Sequence, residues 1–323
     1  MAKYPQIDDC QGVWKMKEVS DANKNGRWRN VGSRAVLAIG TTIDYITMAT
    51  EGDASDFGDT SADVNSRVGL GSHTRGIFAG GAGQIDVIEF ITFATTGDVT
   101  DFGNLTDGVN LPAGLSNATR GIVGGGRDPA MSNIINHFTM STAGNASDFG
   151  DLTVARAMMP GLANPTRGIF AGGFAPGEQN VIDFVTIAST GNATDFGDMF
   201  ESQYTAGPAC SSTRGVTMGC YNDAITGTCD FITMASQGKS VRFGDLSTVH
   251  MGTGGASNSI KGFQLGGQQV SNGDATNIID SMVIATGGTA VDFGNLTRTA
   301  SGKGAACSPA HGGLSDGYQG ARP

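Results

Sequence analysis

The chain has 323 residues, of which 51 are glycine, 39% are hydrophobic and only 15% are charged, with a formal net charge of −10. The glycines keep no three-residue period, which excludes collagen, and the acidic balance argues against a phosphate-tracking, nucleic-acid-binding protein. No stretch approaches the roughly 20 apolar residues that cross a bilayer, so membrane insertion is not expected either.

Residues 1–30 open the chain. "VWKMKEVSDANKNG" predicts a short helix stopped by Gly26. Trp14 and Trp28, the only tryptophans, both fall in this segment. Two readings stand side by side: a cap packed on the fold, or a docking element for another protein. The start "MAKYPQIDDC" lacks a charged region followed by an apolar run, so no signal peptide is expected.

From about residue 31 the sequence repeats. A phenylalanine recurs at Phe57, Phe102, Phe149, Phe196, Phe243 and Phe293, spaced by 45, 47, 47, 47 and 50 residues. Five of the six copies read Asp-Phe-Gly, with Asp56, Asp101, Asp148, Asp195 and Asp292; the fifth reads Arg242-Phe243-Gly244. Each copy follows two apolar runs, typified by "TRGIFAGG" and "IDFVTIAS". Neither run has helical periodicity, and glycine, threonine and asparagine punctuate both.

We read four strands per unit, named a to d in chain order. Strand a is small-residue-rich, as in "PGLANPT", and suits a crowded inner position. Strand b ends at a glycine pair that permits a sharp turn. Strand c is apolar on both faces, as for Ile182 and Phe184 against Val185 and Ile187, so it lies in a sheet covered on both sides. Strand d carries Asp-Phe-Gly. Four-stranded units of 40 to 50 residues in series predict an all-β fold, a β-propeller. Six copies of c and d predict six blades of about 47 residues. The first blade lacks a strand a, and "RTASGKGAACSPAHGGLSDG" supplies one at the C-terminal end, closing the ring and hiding its edges. The expected organisation is a segment over 1–30, a propeller over 31–317 and a tail over 318–323.

The spacing and the glycine pair that closes strand b resemble kelch repeats, as in galactose-oxidase-type propellers. The sequence departs from that pattern in placing Asp-Phe-Gly where kelch blades carry a tryptophan.

Asp-Phe-Gly also holds magnesium in protein kinases, but a kinase uses it once, beside a His-Arg-Asp loop. Here it recurs, and none of His73, His137, His250 and His311 precedes Arg-Asp. The motif is therefore read as structural. A cation recurs in the turn before strand b: Arg34, Arg75, Arg120, Arg167, Arg214 and Lys261. Pairing of each with an Asp-Phe-Gly aspartate is the expected arrangement, with a charged ring for an anionic ligand as the alternative. Blade five carries Arg214 together with Arg242, and is expected to break the pairing.

No catalytic constellation is present. Copper chemistry would need clustered His and Tyr ligands, and the five tyrosines are scattered. There is no Gly-x-Ser-x-Gly elbow, P-loop, CxxC zinc motif or sialidase Asp box. Neither an enzyme, a cofactor nor a metal is expected. Five cysteines are no disulfide framework, and whether Cys220 and Cys229 pair is open.

Function on a propeller sits in loops that differ between blades. The b–c loops differ most and offer Arg127, Asp128, Phe174, Glu178, Tyr221, Asn222, Gln268 and Asn272 as binding candidates. The d–a loops, including "MFESQY" at 199–204, are expected to form a second surface on the opposite side. The tandem blades "TRGIFAGG…NVIDFVTIASTGNATDFGD", preceded by Gly12-Val13-Trp14, resemble propeller regions of tail-fibre and virion structural proteins of tailed phages, notably marine ones. That resemblance implies a non-enzymatic, multi-copy virion component that contacts other virion proteins, and a host-surface glycan or protein. It implies a location in the virion after synthesis in the host cytoplasm. An intracellular kelch-type adaptor is the alternative, and a carbohydrate-active enzyme a more distant one.

Overall fold

The computed structural model describes residues 34–252, 254–269, 274–300 and 304–309. The segment 1–30 with Trp14 and Trp28, the tail 318–323 and Asn272 lie outside them. The described residues form six sheets of four or five antiparallel strands arranged as a six-bladed β-propeller, with two short two-stranded ribbons beside them. Blade one comprises Arg34–Ile39, Thr42–Thr47 and Ser55–Asp59, with Ala305–Cys307 as its inner strand. The closing register is Val36↔Cys307, Leu37↔Ala306 and Ala38↔Ala305. The C-terminal strand thus completes the first blade, as expected. Blade four is typical of the others: Gly161–Ala163, Arg167–Ala171, Val181–Thr186 and Thr194–Asp198 in order from the axis outward.

The core lies between blades rather than within any one of them. Six apolar clusters fill six interfaces. One packs Leu115, Ile122 and Phe149 of blade three on Phe170, Val185 and Ile187 of blade four. The seam between the last and first blades packs Phe263, Ile279 and Phe293 on Leu37, Ile46 and Met48. This is why strand c is apolar on both faces: each face belongs to a different cluster.

Asp-Phe-Gly makes the joint between neighbours. Phe57, Phe102, Phe149, Phe196 and Phe293 are buried. Four of them meet the ring on their own strand c edge-on, as Phe184–Phe196 does at 5.8 Å. The phenylalanine carbonyl accepts a backbone N–H from a glycine in the next blade's c–d turn: Gly97 N to Phe57 O at 2.7 Å, Gly191 N to Phe149 O at 2.7 Å, and across the closing seam Gly52 N to Phe293 O at 3.0 Å. The motif glycine permits this approach. Gly150 has φ +144°, and a Cβ there would lie 2.5 Å from the Gly191 carbonyl. The strand is also bulged beside the motif in every blade.

The expected pairing of arginine with the motif aspartate does not occur. Asp56, Asp101, Asp148, Asp195 and Asp292 are exposed. Asp195 and Asp292 accept from the backbone N–H two residues on, at 3.2 and 3.1 Å. The arginines instead reach a main-chain carbonyl of the following blade: Arg75 Nη1 to Met140 O at 3.3 Å, Arg120 to Ile187 O at 2.8 Å and Arg167 to Met234 O at 2.8 Å. Arg34 bonds Phe93 O in the same way. The guanidinium also lies over the strand-c ring of its own blade, at 4.5 Å for Arg75 over Phe90 and 5.0 Å for Arg167 over Phe184. A half-buried guanidinium satisfied by a carbonyl and a ring face needs no carboxylate. Blade five does not break this pattern. Arg214 bonds Ala285 O at 2.6 Å, while Arg242 pairs with Asp245 at 2.6 Å on the surface.

A second joint was not anticipated. Strand c carries a buried polar residue in each blade: Asp44, Glu89, Asn136, Asp183, Asp230 and Asp280. Each of four accepts both the hydroxyl and the backbone N–H of a threonine or serine four residues beyond the motif phenylalanine of the preceding blade. Thr153 donates to Asp183 from Oγ1 at 2.6 Å and from N at 3.1 Å. Thr106 on Asn136, Ser247 on Asp280 and Thr297 on Asp44 repeat the arrangement. Ser61 bonds Glu89 with its hydroxyl. Blade five is the exception, because Phe200 stands where the hydroxyl residue should be. Asp230 has only long contacts, to Gln203 at 3.5 Å and Ser240 at 3.4 Å. Burial pushes the Asp230 carboxyl above its ordinary range, Arg242 and the Ser240 hydroxyl pull it back, and Glu201 adds to the rise.

Candidate functional site

Strands within a blade alternate in direction, so every second connection emerges on the same side of the disc. The b–c and d–a loops therefore share one face, and the expectation of opposite surfaces is corrected. Backbone pairing shows it directly. Tyr204 in a d–a loop forms a bridge with Tyr221 at the end of strand b, as Ala157 does with Phe174 and Asn110 with Arg127.

The b–c connections differ as their sequences imply. In blades three and four they fold into small ribbons, Arg127–Asp128 with Ala130–Met131 and Phe174–Ala175 with Gly177–Glu178. In blade five, strands b and c run on as a long hairpin, Arg214–Asn222 with Ala224–Thr233, whose tip residue Asp223 has φ 53°. Asp is among the residues that tolerate this left-handed conformation.

An open groove forms between the blade-four ribbon and the blade-five hairpin. Phe174, Glu178, Glu201, Tyr204, Tyr221 and Asn222 line it. Four of the predicted binding residues, Phe174, Glu178, Tyr221 and Asn222, are thereby brought together. Tyr204 sits between two rings, 5.3 Å from Phe174 at 66° and 5.0 Å from Tyr221 at 33°. The hairpin tip is held from both sides. Glu178 Oε1 accepts the Asp223 N–H at 3.0 Å, and Glu201 Oε2 accepts from Asn222 Nδ2 at 2.7 Å. Burial, then the neighbouring Tyr221 and Glu178, raise the Tyr204 phenol above its ordinary range.

Tyr204 also lines a cavity of about 220 Å³ on the propeller axis, which every blade's inner strand borders. The groove and the axial cavity thus share one side chain. At the mouth, Ser66, Leu111, Met158 and Thr205 all have positive φ, between 56° and 63°. Their backbones form a chain of hydrogen bonds from blade to blade: Leu111 N to Ser66 O at 3.2 Å, Met158 N to Leu111 O at 3.1 Å and Thr205 N to Met158 O at 2.9 Å. The strain of about 1–3 kcal/mol per residue is set against hydrogen bonds that tie the loops into a rim.

The remaining predicted residues lie elsewhere. Arg127 and Asp128 belong to the blade-three ribbon, where Arg127 Nε donates to Pro129 O at 3.0 Å. Gln268 borders the axial cavity. Glu201 and Tyr204 fall in the loop expected to form a second surface on the opposite side, and for that reason the sequence alone does not join them to the b–c loop residues. Cys220 and Cys229 are free thiols: Cys220 Sγ lies 3.2 Å from both Thr226 Oγ1 and Thr228 Oγ1, and burial pushes both thiols up. Among the described residues, no group of three or more His, Cys, Asp or Glu side chains could hold a metal ion.

The fold and the groove define the class: an all-β, six-bladed propeller with an aromatic and acidic groove on its loop face. No protein-family model matches the chain, and no curated protein matches its sequence.

Proposed function

We propose that the protein is a non-enzymatic recognition module, a structural component of a phage virion that presents its loop face to a host surface or a neighbouring virion protein. The observation that carries the recognition reading is the groove. Two tyrosines and a phenylalanine, from loops that differ in every blade, cluster on a ring whose joints are nearly identical. Aromatic side chains present large contact area at low entropic cost and are enriched at binding sites. The virion assignment rests on the resemblance of the tandem blades to phage structural propellers.

Two measurements test the reading. Mass spectrometry of purified particles should find the protein at several copies per particle, and its absence would sink the virion assignment. Particles carrying Tyr204→Ala with Tyr221→Ala should lose attachment, or the neighbouring protein, while the purified propeller still folds. Unchanged attachment and composition would remove the groove from the function.

A further inference from the structure

The groove's chemistry is specific enough to name a ligand class. We propose that it binds a cationic side chain, a guanidinium or ammonium group carried by a protein partner; this rests on the reading of the groove as a recognition site.

Ring faces carry negative potential and attract cations. This protein uses that attraction in its own scaffold, where Arg34, Arg75, Arg167, Arg214 and Lys261 each lie over an aromatic ring of their own blade. The Phe174–Tyr204–Tyr221 cluster has no such internal cation among the described residues.

The charges around the rings point the same way. Glu178, Glu201 and Asp223 line the groove, and no lysine or arginine does. Glu178 and Glu201 each commit one oxygen to the hairpin tip. Their other oxygens, Glu178 Oε2 and Glu201 Oε1, have no hydrogen-bond partner among the described residues, and a carboxylate oxygen is a strong acceptor for a charged donor. An anionic ligand would meet three uncompensated negative charges. A neutral sugar could stack on the rings and donate hydroxyls to those oxygens, but it brings no positive charge to offset the three carboxylates. A guanidinium or ammonium group satisfies the rings and the carboxylates together.

The test uses the full chain labelled with 3-fluorotyrosine and followed by ¹⁹F NMR. Tyr204→Phe and Tyr221→Phe assign the two groove resonances among the five tyrosines. Three probes are titrated: acetyl-Gly-Arg-Gly-amide, the same peptide with citrulline in place of arginine, and chitotriose. The arginine peptide should shift both resonances, and bind at least about five-fold more tightly than the citrulline peptide. It should weaken by about ten-fold in Glu178→Gln with Glu201→Gln. Glutamine keeps an acceptor oxygen for the hairpin tip, so an unchanged melting temperature separates lost charge from lost fold. Equal binding of the citrulline peptide, or no loss in the glutamine variant, overturns the proposal. Shifts with chitotriose alone overturn the cationic class and leave the recognition site standing. If no probe moves either resonance the proposal falls, and the recognition reading falls with it only if the tyrosine-to-alanine particles also attach normally.

Discussion

Phe200 stands 59% exposed at the position from which Thr153, one blade earlier, donates its hydroxyl to Asp183 at 2.6 Å. The substitution costs the seam between blades four and five its direct hydroxyl joint: Phe200 N donates to Ser240 Oγ at 2.7 Å instead, and Asp230 is left with contacts of 3.4 and 3.5 Å, to Ser240 and Gln203. This is also the seam beneath the aromatic groove. We expect Phe200→Thr to restore the joint and raise stability by about 1 kcal/mol at neutral pH, the net worth of one intramolecular hydrogen bond, with somewhat more for a charged acceptor. Denaturant unfolding of the two proteins measures it, and a loss of stability would contradict the account.

The same pair predicts a pH dependence. Asp230 has a raised carboxyl pKa in the folded state. A raised pKa means that the folded state binds the proton more tightly than the unfolded state, so this group's contribution falls as pH climbs from the ordinary aspartate range through the folded value. Phe200→Thr stabilises the carboxylate and should shrink that fall. Its gain should therefore be larger at pH 7 than at pH 3.5, and an equal gain at both would count against Asp230 as the cause.

The repeated arginine and the repeated aspartate should separate cleanly by mutation. Arg167 bonds a carbonyl of the next blade and covers a ring. Arg167→Leu should cost about 1–3 kcal/mol, because a charge-assisted bond is lost and a carbonyl is left unsatisfied. Asp195 is exposed, and its carboxylate bonds only its local backbone. Asp195→Asn should stay within about 0.5 kcal/mol. Matching losses would revive the arginine–aspartate pairing that the geometry excludes.

The motif glycine should not tolerate a side chain. Gly150→Ala places a Cβ 2.5 Å from the Gly191 carbonyl in a backbone conformation with φ +144°. Two costs add, the strained backbone and the forced parting of the blades, and we expect at least about 3 kcal/mol of destabilisation. Gly191→Ala is the comparison. It has φ +153° but nothing within 4 Å of its Cβ, so it isolates the backbone term and should cost less. Thermal unfolding of both reads the difference.

Deleting residues 304–323 removes the inner strand of blade one and exposes Val36–Ala38 as an unpaired edge. An open hydrophobic edge invites pairing with other chains. The truncated protein should associate or aggregate in size-exclusion chromatography, and a truncated chain that stayed monomeric with an unchanged melting temperature would contradict ring closure as a source of stability.

The architecture was readable because its signal is periodic. Phe57 to Phe293 mark one position per blade, and strand c, apolar on both faces, announced a sheet covered on both sides. What failed was anything that depended on a partner one blade away. Arg167 and Asp195 looked complementary because opposite charges recur with the same period, yet Arg167 ends 67 residues on, at the Met234 carbonyl. A backbone acceptor has no side-chain signature. The buried Asp183 and its partner Thr153 were visible as repeating letters, but their contact exists only once two blades are laid side by side. The site was half legible. Phe174, Glu178, Tyr221 and Asn222 stood out as variable loop residues. Glu201 and Tyr204 were lost through the direction in which successive strands run, which a count of reversals between the two loops would have recovered.

The hydrogen bond from a turn glycine to the phenylalanine carbonyl of the blade before it has one further consequence. Main-chain donors and acceptors make it, and a glycine guards it, so it is indifferent to what the loop-face side chains are. Loops at one seam can be exchanged, lengthened or rebuilt while this one main-chain joint is kept. The groove between blades four and five is one such rebuilding, and the remaining seams offer the same vacant ground for acquiring a different specificity.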